Sequence, residues 1–272
     1  MSKRKRYKKK PDVSIIIPVF GRFDLLDKCL KSIPDACGDK SYQVVLFDNA
    51  SPDRDEAEEY YDSLDIDNVI VSRSNENLGF PIACNRGVNR SKADIVFLLN
   101  SDVVLLPGAV ESMMQHLKDP EIGVVGMKLL FPEESVDGNR PAGKIQHVGL
   151  TLDIKGQFLH AFIAWSKDNP RVNRVFEVGA VTGAALMTKR TLWYKVGGFF
   201  EGYGIGTYED CDLCYSIREK GYKVIVDVNA VGYHYTNATA SFYKIPFPLG
   251  QNRQIFLQRW GKQLEYDEWR VL

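Results

Sequence analysis

The stretch "ADIVFLLNSDVVLLPGA" (93–109) decides how the rest of the chain is read. An apolar run from Ile95 to Leu99 leads straight into Asn100, Ser101 and Asp102. The sequence then turns apolar again from Val103 to Leu106, and Pro107-Gly108 stops it. A short continuous apolar run bounded by turn residues predicts a strand buried on both faces. An unpaired carboxylate in such surroundings costs on the order of several kcal/mol. Asp102 therefore marks a strand end that opens onto something polar.

Working outward, "VSIIIPVF" (13–20), "YQVVLFDNA" (42–50), "VIVSR" (69–73), "ADIVFLLNSD" (93–102) and "IGVVGMKLL" (122–130) predict strands. Between them, 22–33, 51–64, 77–91 and 107–118 carry helical spacing or helix-start signals such as Ser51-Pro52 followed by acids. Regular alternation of strand and helix predicts an α/β fold: a Rossmann-like, mostly parallel central sheet flanked by helices. Ligands bind such sheets at the carboxyl ends of the strands, where Asp48 and Asp102 both fall. Residues 131–175 are irregular and are expected to cover that crevice. "VGAVTGAALMTKR" (178–190) predicts a close-packed strand or strand-to-helix link. "GGFFEGYGIGT" (197–207) predicts a flexible loop. A helix over 208–221, a strand within 222–235 and a helix over 250–261 complete the chain. No internal repeat and no linker divides it, so one compact domain is expected.

Composition narrows the class. The chain has 272 residues and zero formal net charge, but "MSKRKRYKKK" holds seven Lys or Arg and no acid. The remainder has 28 basic and 35 acidic residues, a net of −7. A mildly acidic body is not a general nucleic-acid binder, and the basic head has no aromatic interleaving beyond Tyr7. That head lacks the apolar segment of a secretory signal. No stretch reaches the ~20 apolar residues of a membrane span. Five scattered cysteines predict free thiols in a reducing, cytoplasmic compartment. Cys211 and Cys214 form a C-x-x-C, expected to be ordinary helix residues. No G-x-x-x-x-G-K-[ST] occurs, which disfavours a P-loop nucleotidase.

On the helix from 208, Leu213, Cys214 and Ile217 fall at about −60°, +40° and −20° from Asp210. Asp210 is thus centred on the apolar face, in the first turn. Asp212 and Glu219 fall opposite, where solvent is expected. A Thr207–Asp210 capping box would account for Asp210 without chemistry. The Gly-rich segment just before it favours instead a carboxylate in a site that closes over a substrate.

The ordered set "VSIIIPVFGRFDLLDKCLKSI", "VVLFDNAS", "NENLGFPIACNRGV", "DIVFLLNSDVVL", "VTGAALMTKR", "VGGF" and "YEDCDLCYSIREKGYKV…VGYHY" resembles the inverting GT-A glycosyltransferases of family 2. It is similar to the rhamnosyltransferase-like branch with an N-x-D metal motif. The resemblance implies sugar transfer from a UDP- or dTDP-linked donor to a glycan or lipid-linked acceptor, with Mn2+ or Mg2+, as in polysaccharide biosynthesis. It implies Asp102 and His234 as metal ligands, with Asn100 and Ser101, in place of the rest of a D-x-D motif, binding the nucleotide sugar, Asn100 by a hydrogen bond to the ribose. Pro18, Val19, Phe20, Asp48, Asn77, Gly79 and Asn85 are expected around the nucleotide. Asp210 is expected as the general base, with Glu209 beside it orienting the acceptor or a loop. On this reading 12–130 is the nucleotide-binding half and 131–240 the acceptor and catalytic half. Residues 1–11 are a basic tail touching anionic membrane through 3–10, and 241–272 are a helical extension. Two alternatives stay open: a nucleotidyltransferase, against which "PVFGRFD" offers only Gly21, and a non-catalytic nucleotide- or sugar-binding module.

Overall fold

The computed structural model describes residues 10–65, 68–135, 140–236 and 238–264. The expected basic tail lies outside these residues except for Lys10 and Pro11, as does the expected extension beyond 264. The strands are β1 (Val13–Val19), β2 (Tyr42–Asp48), β3 (Val69–Arg73), β4 (Ile95–Leu99), β5 (Val103–Leu105), β6 (Ile122–Leu130), β7 (Ile145–His147), β8 (Leu150–Leu152), β9 (Phe158–His160), β10 (Phe176–Glu177), β11 (Ala185–Lys189) and β12 (Lys223–His234). The helices are α1 (Phe23–Cys37), α2 (Arg54–Ser63), α3 (Phe80–Asn89), α4 (Ala109–His116), α5 (Arg190–Val196), α6 (Glu209–Glu219), α7 (Ala238–Phe242) and α8 (Leu249–Trp260).

The main sheet runs β10-β12-β6-β11-β4-β1-β2-β3. β1 is parallel to both β2 and β4, and β2 to β3. β11 lies antiparallel between β4 and β6, and β6 is parallel to β12. β6 and β12 therefore run the same way as β1, so the sheet is mostly parallel, as the alternation predicts. Helices on both faces explain why β1 has no polar side. Ile15 and Ile17 pack into one apolar cluster with α1 and α4 residues. Ile16 packs into the other with residues of α3, α5 and α6. All three are fully buried.

Two features of the sheet build the crevice. The β1–β4 ladder stops at Ile16 and Leu98. Beyond it the Asn100 N–H donates to the Ala184 carbonyl. Pro18, with no N–H to give, sits just past the end of that ladder. Then β5 turns back and pairs with β12, register Val103 to His234. This brings Asp102 beside a residue 132 positions later in the chain.

Two expectations need correction. Asp212 is not at the solvent: it is 2% exposed. It accepts from the Tyr203 hydroxyl (2.9 Å), the Arg259 Nε and Nη2 (2.6 and 3.1 Å) and the Trp260 Nε1 (2.9 Å). Helical periodicity finds the face turned to the sheet; it cannot see that α8 covers the other face. The segment 197–207 is also not free. Asn85 hydrogen-bonds both the N–H and the carbonyl of Phe199. The Asn252 amide donates to the carbonyls of Tyr203, Gly206 and Thr207. Of the predicted 178–190 element only 185–189 is a strand; 182–184 forms part of the cleft wall.

Candidate active site

A cleft of about 430 Å3 lies over the carboxyl ends of β1 and β4. Residues 205–211 form one wall, and residues from 239 to 249 form part of another. Ten of the expected residues line it: Pro18, Val19, Phe20, Asn77, Asn100, Ser101, Asp102, Glu209, Asp210 and His234.

At one end, Asp102 Oδ1 stands 3.2 Å from His234 Nε2. Both residues are nearly buried, 6% exposed each. His234 Nδ1 lies 3.2 Å from the Gln146 carbonyl oxygen. That oxygen only accepts, so Nδ1 carries a proton and Nε2 is the nitrogen turned to Asp102. Nε2 makes no hydrogen bond. A carboxylate oxygen and an imidazole nitrogen this close call for one positive charge between them, a proton or a cation. Burial opposes charge on Asp102, but His234 and the Ala238 N–H outweigh it and hold the carboxyl below its usual range.

At the other end are Asp210 and Glu209. Asp210 Oδ2 accepts from the Gly183 N–H and Oδ1 from the Cys211 N–H, both at 2.8 Å. It is not a helix cap. The cap position of α6 is Tyr208, in the left-handed conformation, with no side-chain cap bond. Glu209, about 100° from Asp210 around the helix, lines the same cleft and is 5% exposed. The left-handed Thr207 and Tyr208 make Glu209 the first residue of α6, which turns its side chain inward. Burial raises both carboxyls, and the Asp210 charge pushes Glu209 further, well above the usual range. Two N–H donors favour the charged form of Asp210, whereas Glu209 Oε2 has no partner. Environment thus favours the negative charge on Asp210 over Glu209, whose carboxyl is pushed up the further by burial and by the Asp210 charge.

Between these ends, the Asn100 Oδ1 is buried without a partner, an acceptor left open beside the cleft. Asn77 Oδ1 accepts from the Asn49 amide (2.8 Å) and the Gly79 N–H (3.0 Å). Phe20 meets Tyr243 edge-on at 5.2 Å between ring centroids.

Three expected residues do not line the cleft. Asp48 is fully buried, with Arg73 at 2.6 Å and the Ser51 N–H at 2.7 Å. Those bonds give its carboxylate a turn-forming role. Asn85 spends its amide on Phe199 and Glu201. Gly79 is a backbone contact: a Cβ there would meet the Gly204 carbonyl oxygen at 2.0 Å. Gln146, His147, His160, Thr182 and Asn252 went unseen in the sequence. The first three fall in or beside short strands of an irregular stretch with no periodicity to flag them. All five cysteines are free and buried. Burial pushes the Cys211 thiol well up and that of Cys214 to about 12, which disfavours the thiolate that a redox pair or a soft metal site needs.

The mostly parallel sheet, with its crevice at the carboxyl ends of the strands, has the fold of the GT-A glycosyltransferases on which it superposes. Residues 14–179 match the family described as Glycosyl transferase family 2. The chain belongs to that family. It is 28% identical over 242 residues to the protein y4gI of Sinorhizobium fredii, covering 87% of this chain and 26% of that protein. It is 25% identical over 244 residues to the O-antigen biosynthesis protein RfbC of Myxococcus xanthus, covering 87% and 18%. The chain thus spans about a quarter or less of the length of these relatives. Among solved structures, it superposes on GalNAc-T7 with UDP, GalNAc and Mn2+ at a TM-score of 0.69 and 16% identity. That match covers 84% of this chain and 44% of the other.

Proposed function

We propose that the chain transfers a sugar from a nucleotide-diphosphate donor, UDP- or dTDP-linked, to a hydroxyl of a glycan or lipid-linked acceptor with inversion. The observation that carries this reading is the pairing of two acidic centres of opposite character in one cleft. Asp102–His234 calls for a positive charge. Asp210–Glu209 holds one carboxylate ready to take a proton.

The Asp–His pair fits a divalent metal: one carboxylate oxygen and one imidazole nitrogen suit Mn2+, and the oxygen alone suits Mg2+. Among the described residues no group of three His, Cys, Asp or Glu forms a closed cage. An open site of few protein ligands is what a metal shared with substrate phosphates requires. Such an ion, when bound, supplies neutralisation of the leaving diphosphate. Asp102 and His234 would hold it, with Gln146 fixing the imidazole through Nδ1.

Pro18, Val19 and Phe20 flank the nucleotide end, and the open Asn100 oxygen accepts from a donor hydroxyl. Asp210, held by Gly183 and Cys211, takes the proton of the attacking acceptor hydroxyl, a contribution of roughly 10² to 10⁴ in rate. A single displacement of this kind inverts the anomeric centre. Protonated Glu209 keeps a second negative charge away from the diphosphate and offers a hydrogen bond to the acceptor. The name of the relative RfbC supports a surface-glycan acceptor. Among the described residues no helix is long and apolar enough to cross a membrane. The basic run at 3–10 supplies a peripheral contact with anionic lipid, at about 1 kcal/mol per charge near the surface.

The test uses two variants. Asp102→Ala should remove the Mn2+-dependent part of nucleotide affinity while the melting temperature stays near wild type. Asp210→Asn should keep nucleotide affinity within a few-fold and lower transfer by at least ~10². Wild-type metal dependence in a folded Asp102→Ala chain would remove the metal assignment. Wild-type transfer by Asp210→Asn would remove the base.

A further inference from the structure

Beside the two acidic centres lies a histidine pair that the transferase reading does not use. His147 Nδ1 is 3.0 Å from His160 Nδ1, and the rings meet edge-on, 84° apart. His147 is 1% exposed. Its Nε2 accepts two backbone N–H bonds, from Gly149 (3.2 Å) and Thr182 (3.3 Å). A nitrogen that accepts carries no proton, so the proton of His147 sits on Nδ1 and is donated to His160 Nδ1. His160 Nδ1 is then the acceptor, and its own proton is forced onto Nε2. His160 lines the cleft, and its Nε2 has no partner among the described residues. Burial and the neighbouring imidazoles hold both rings neutral, His160 down to about 4. Two backbone amides thus set, through His147, an N–H donor in the wall of the cleft that is uncharged near neutral pH.

The hydrogen bonds also place this donor. Gln146, which holds His234, is the neighbour of His147 in β7. Thr182, which bonds His147, is the neighbour of Gly183, which bonds Asp210. The pair is thus linked through chain neighbours to the metal-type centre on one side and to the base on the other, and His160 lines the same cleft as both. On the transferase reading, the sugar occupies that interval, since its anomeric carbon joins the diphosphate on one side and meets the attacking hydroxyl on the other. Phe158 lines the cleft two residues away and stands edge-on to Tyr208 at 5.7 Å, an aromatic wall suited to a sugar face. An uncharged N–H suits a hydroxyl oxygen.

We propose that His160, fixed as an Nε2–H donor by His147, hydrogen-bonds a hydroxyl of the sugar being transferred and takes part in selecting that sugar. This rests on the transferase reading.

The test is calorimetric titration of the full chain with Mn2+ and UDP, dTDP, UDP-glucose, UDP-galactose, UDP-N-acetylglucosamine or dTDP-rhamnose. His160→Met removes the donor. His160→Gln keeps one, because its amide oxygen can accept from His147 while its N–H2 faces the cleft. The nucleotide sugar that binds wild type most tightly should weaken about three- to tenfold in His160→Met, the size of one hydrogen bond between uncharged groups. UDP and dTDP should stay within twofold, and His160→Gln should recover most of the loss. If His160→Met does not fold, His160→Phe replaces it, since it keeps the bulk of the ring but offers no donor to the cleft. Equal loss for free nucleotide and nucleotide sugar, or no loss, overturns the assignment and leaves the transferase reading standing. A wild-type chain that binds none of these compounds overturns both.

Discussion

Replacing Asp212 with Ala tests whether α8 locks the wall of the cleft. The side chain is 2% exposed and satisfies three partners at once. The Tyr203 hydroxyl and the Trp260 Nε1 lie at 2.9 Å and are themselves buried, at 1% and 7% exposure. Each loses its acceptor in the variant, at about 1–3 kcal/mol apiece. Arg259 adds little, because its side chain is 35% exposed and water can replace the carboxylate. The sum is about 2–6 kcal/mol, which corresponds to a fall of about 0.7–2 M in the urea midpoint for a protein with an m-value near the upper end of the small-protein range. Asp212→Asn keeps one acceptor oxygen and should lose about half as much. Because Tyr203 and its neighbours carry the segment 199–207, nucleotide-sugar affinity should fall with stability in the Ala variant. Urea denaturation followed by tryptophan fluorescence measures the first quantity and calorimetry the second. A midpoint shift of less than about 0.2 M for Asp212→Ala would refute the argument that this carboxylate carries the α6–α8 contact.

Glu209→Gln should change the pH dependence of stability. The folded-state carboxyl is raised well above its ordinary value. Its contribution is therefore fully present below the unfolded value of about 4.3 and is lost as pH rises through the folded value. The variant lacks that loss, so its melting temperature should gain on wild type as pH increases; parallel curves would contradict the raised carboxyl. Asp210 is raised in the same direction, and a base must be ionised to work. The acid limb of kcat/KM should accordingly lie above the ordinary Asp value of about 3.9, and a limb at or below it would count against Asp210. Gly79→Ala places a Cβ at a φ of +83° and 2.0 Å from the Gly204 carbonyl oxygen. The backbone conformation alone costs about 1–3 kcal/mol, and the clash forces the 199–207 segment outward. A melting temperature within about 2 °C of wild type would show that the two segments do not need this approach.

Much of the fold is legible because its causes are local. The runs at 13–19, 42–48 and 95–99 are apolar on both faces, and only a sheet covered on both sides accepts them. Alternation with helices then dictates parallel strands and places the crevice at their carboxyl ends. Asp102 and Asp210 stand out for the same reason: each is a charge where the local pattern demands an apolar residue. His234 is visible only through the ordered motifs of the family resemblance.

What the sequence by itself determined is therefore the layered α/β architecture and the two acids that break its apolar pattern, since both follow from unbroken apolar runs and a 3.6-residue periodicity. The tertiary structure decided the partners. β5 turning back onto β12 sets Asp102 against His234, and a short β7 brings Gln146 behind that imidazole. The Gly183 N–H turns Asp210 into a held carboxylate, and the Thr182 N–H fixes the proton on a histidine pair. α8 makes Asp212 a buried anchor where the helical wheel shows a solvent face. Each of these contacts joins residues about 25 to more than 130 positions apart. Hydrogen bonds reach about 3 Å, and no local pattern carries information over such separations; only the packing of one layer on another does.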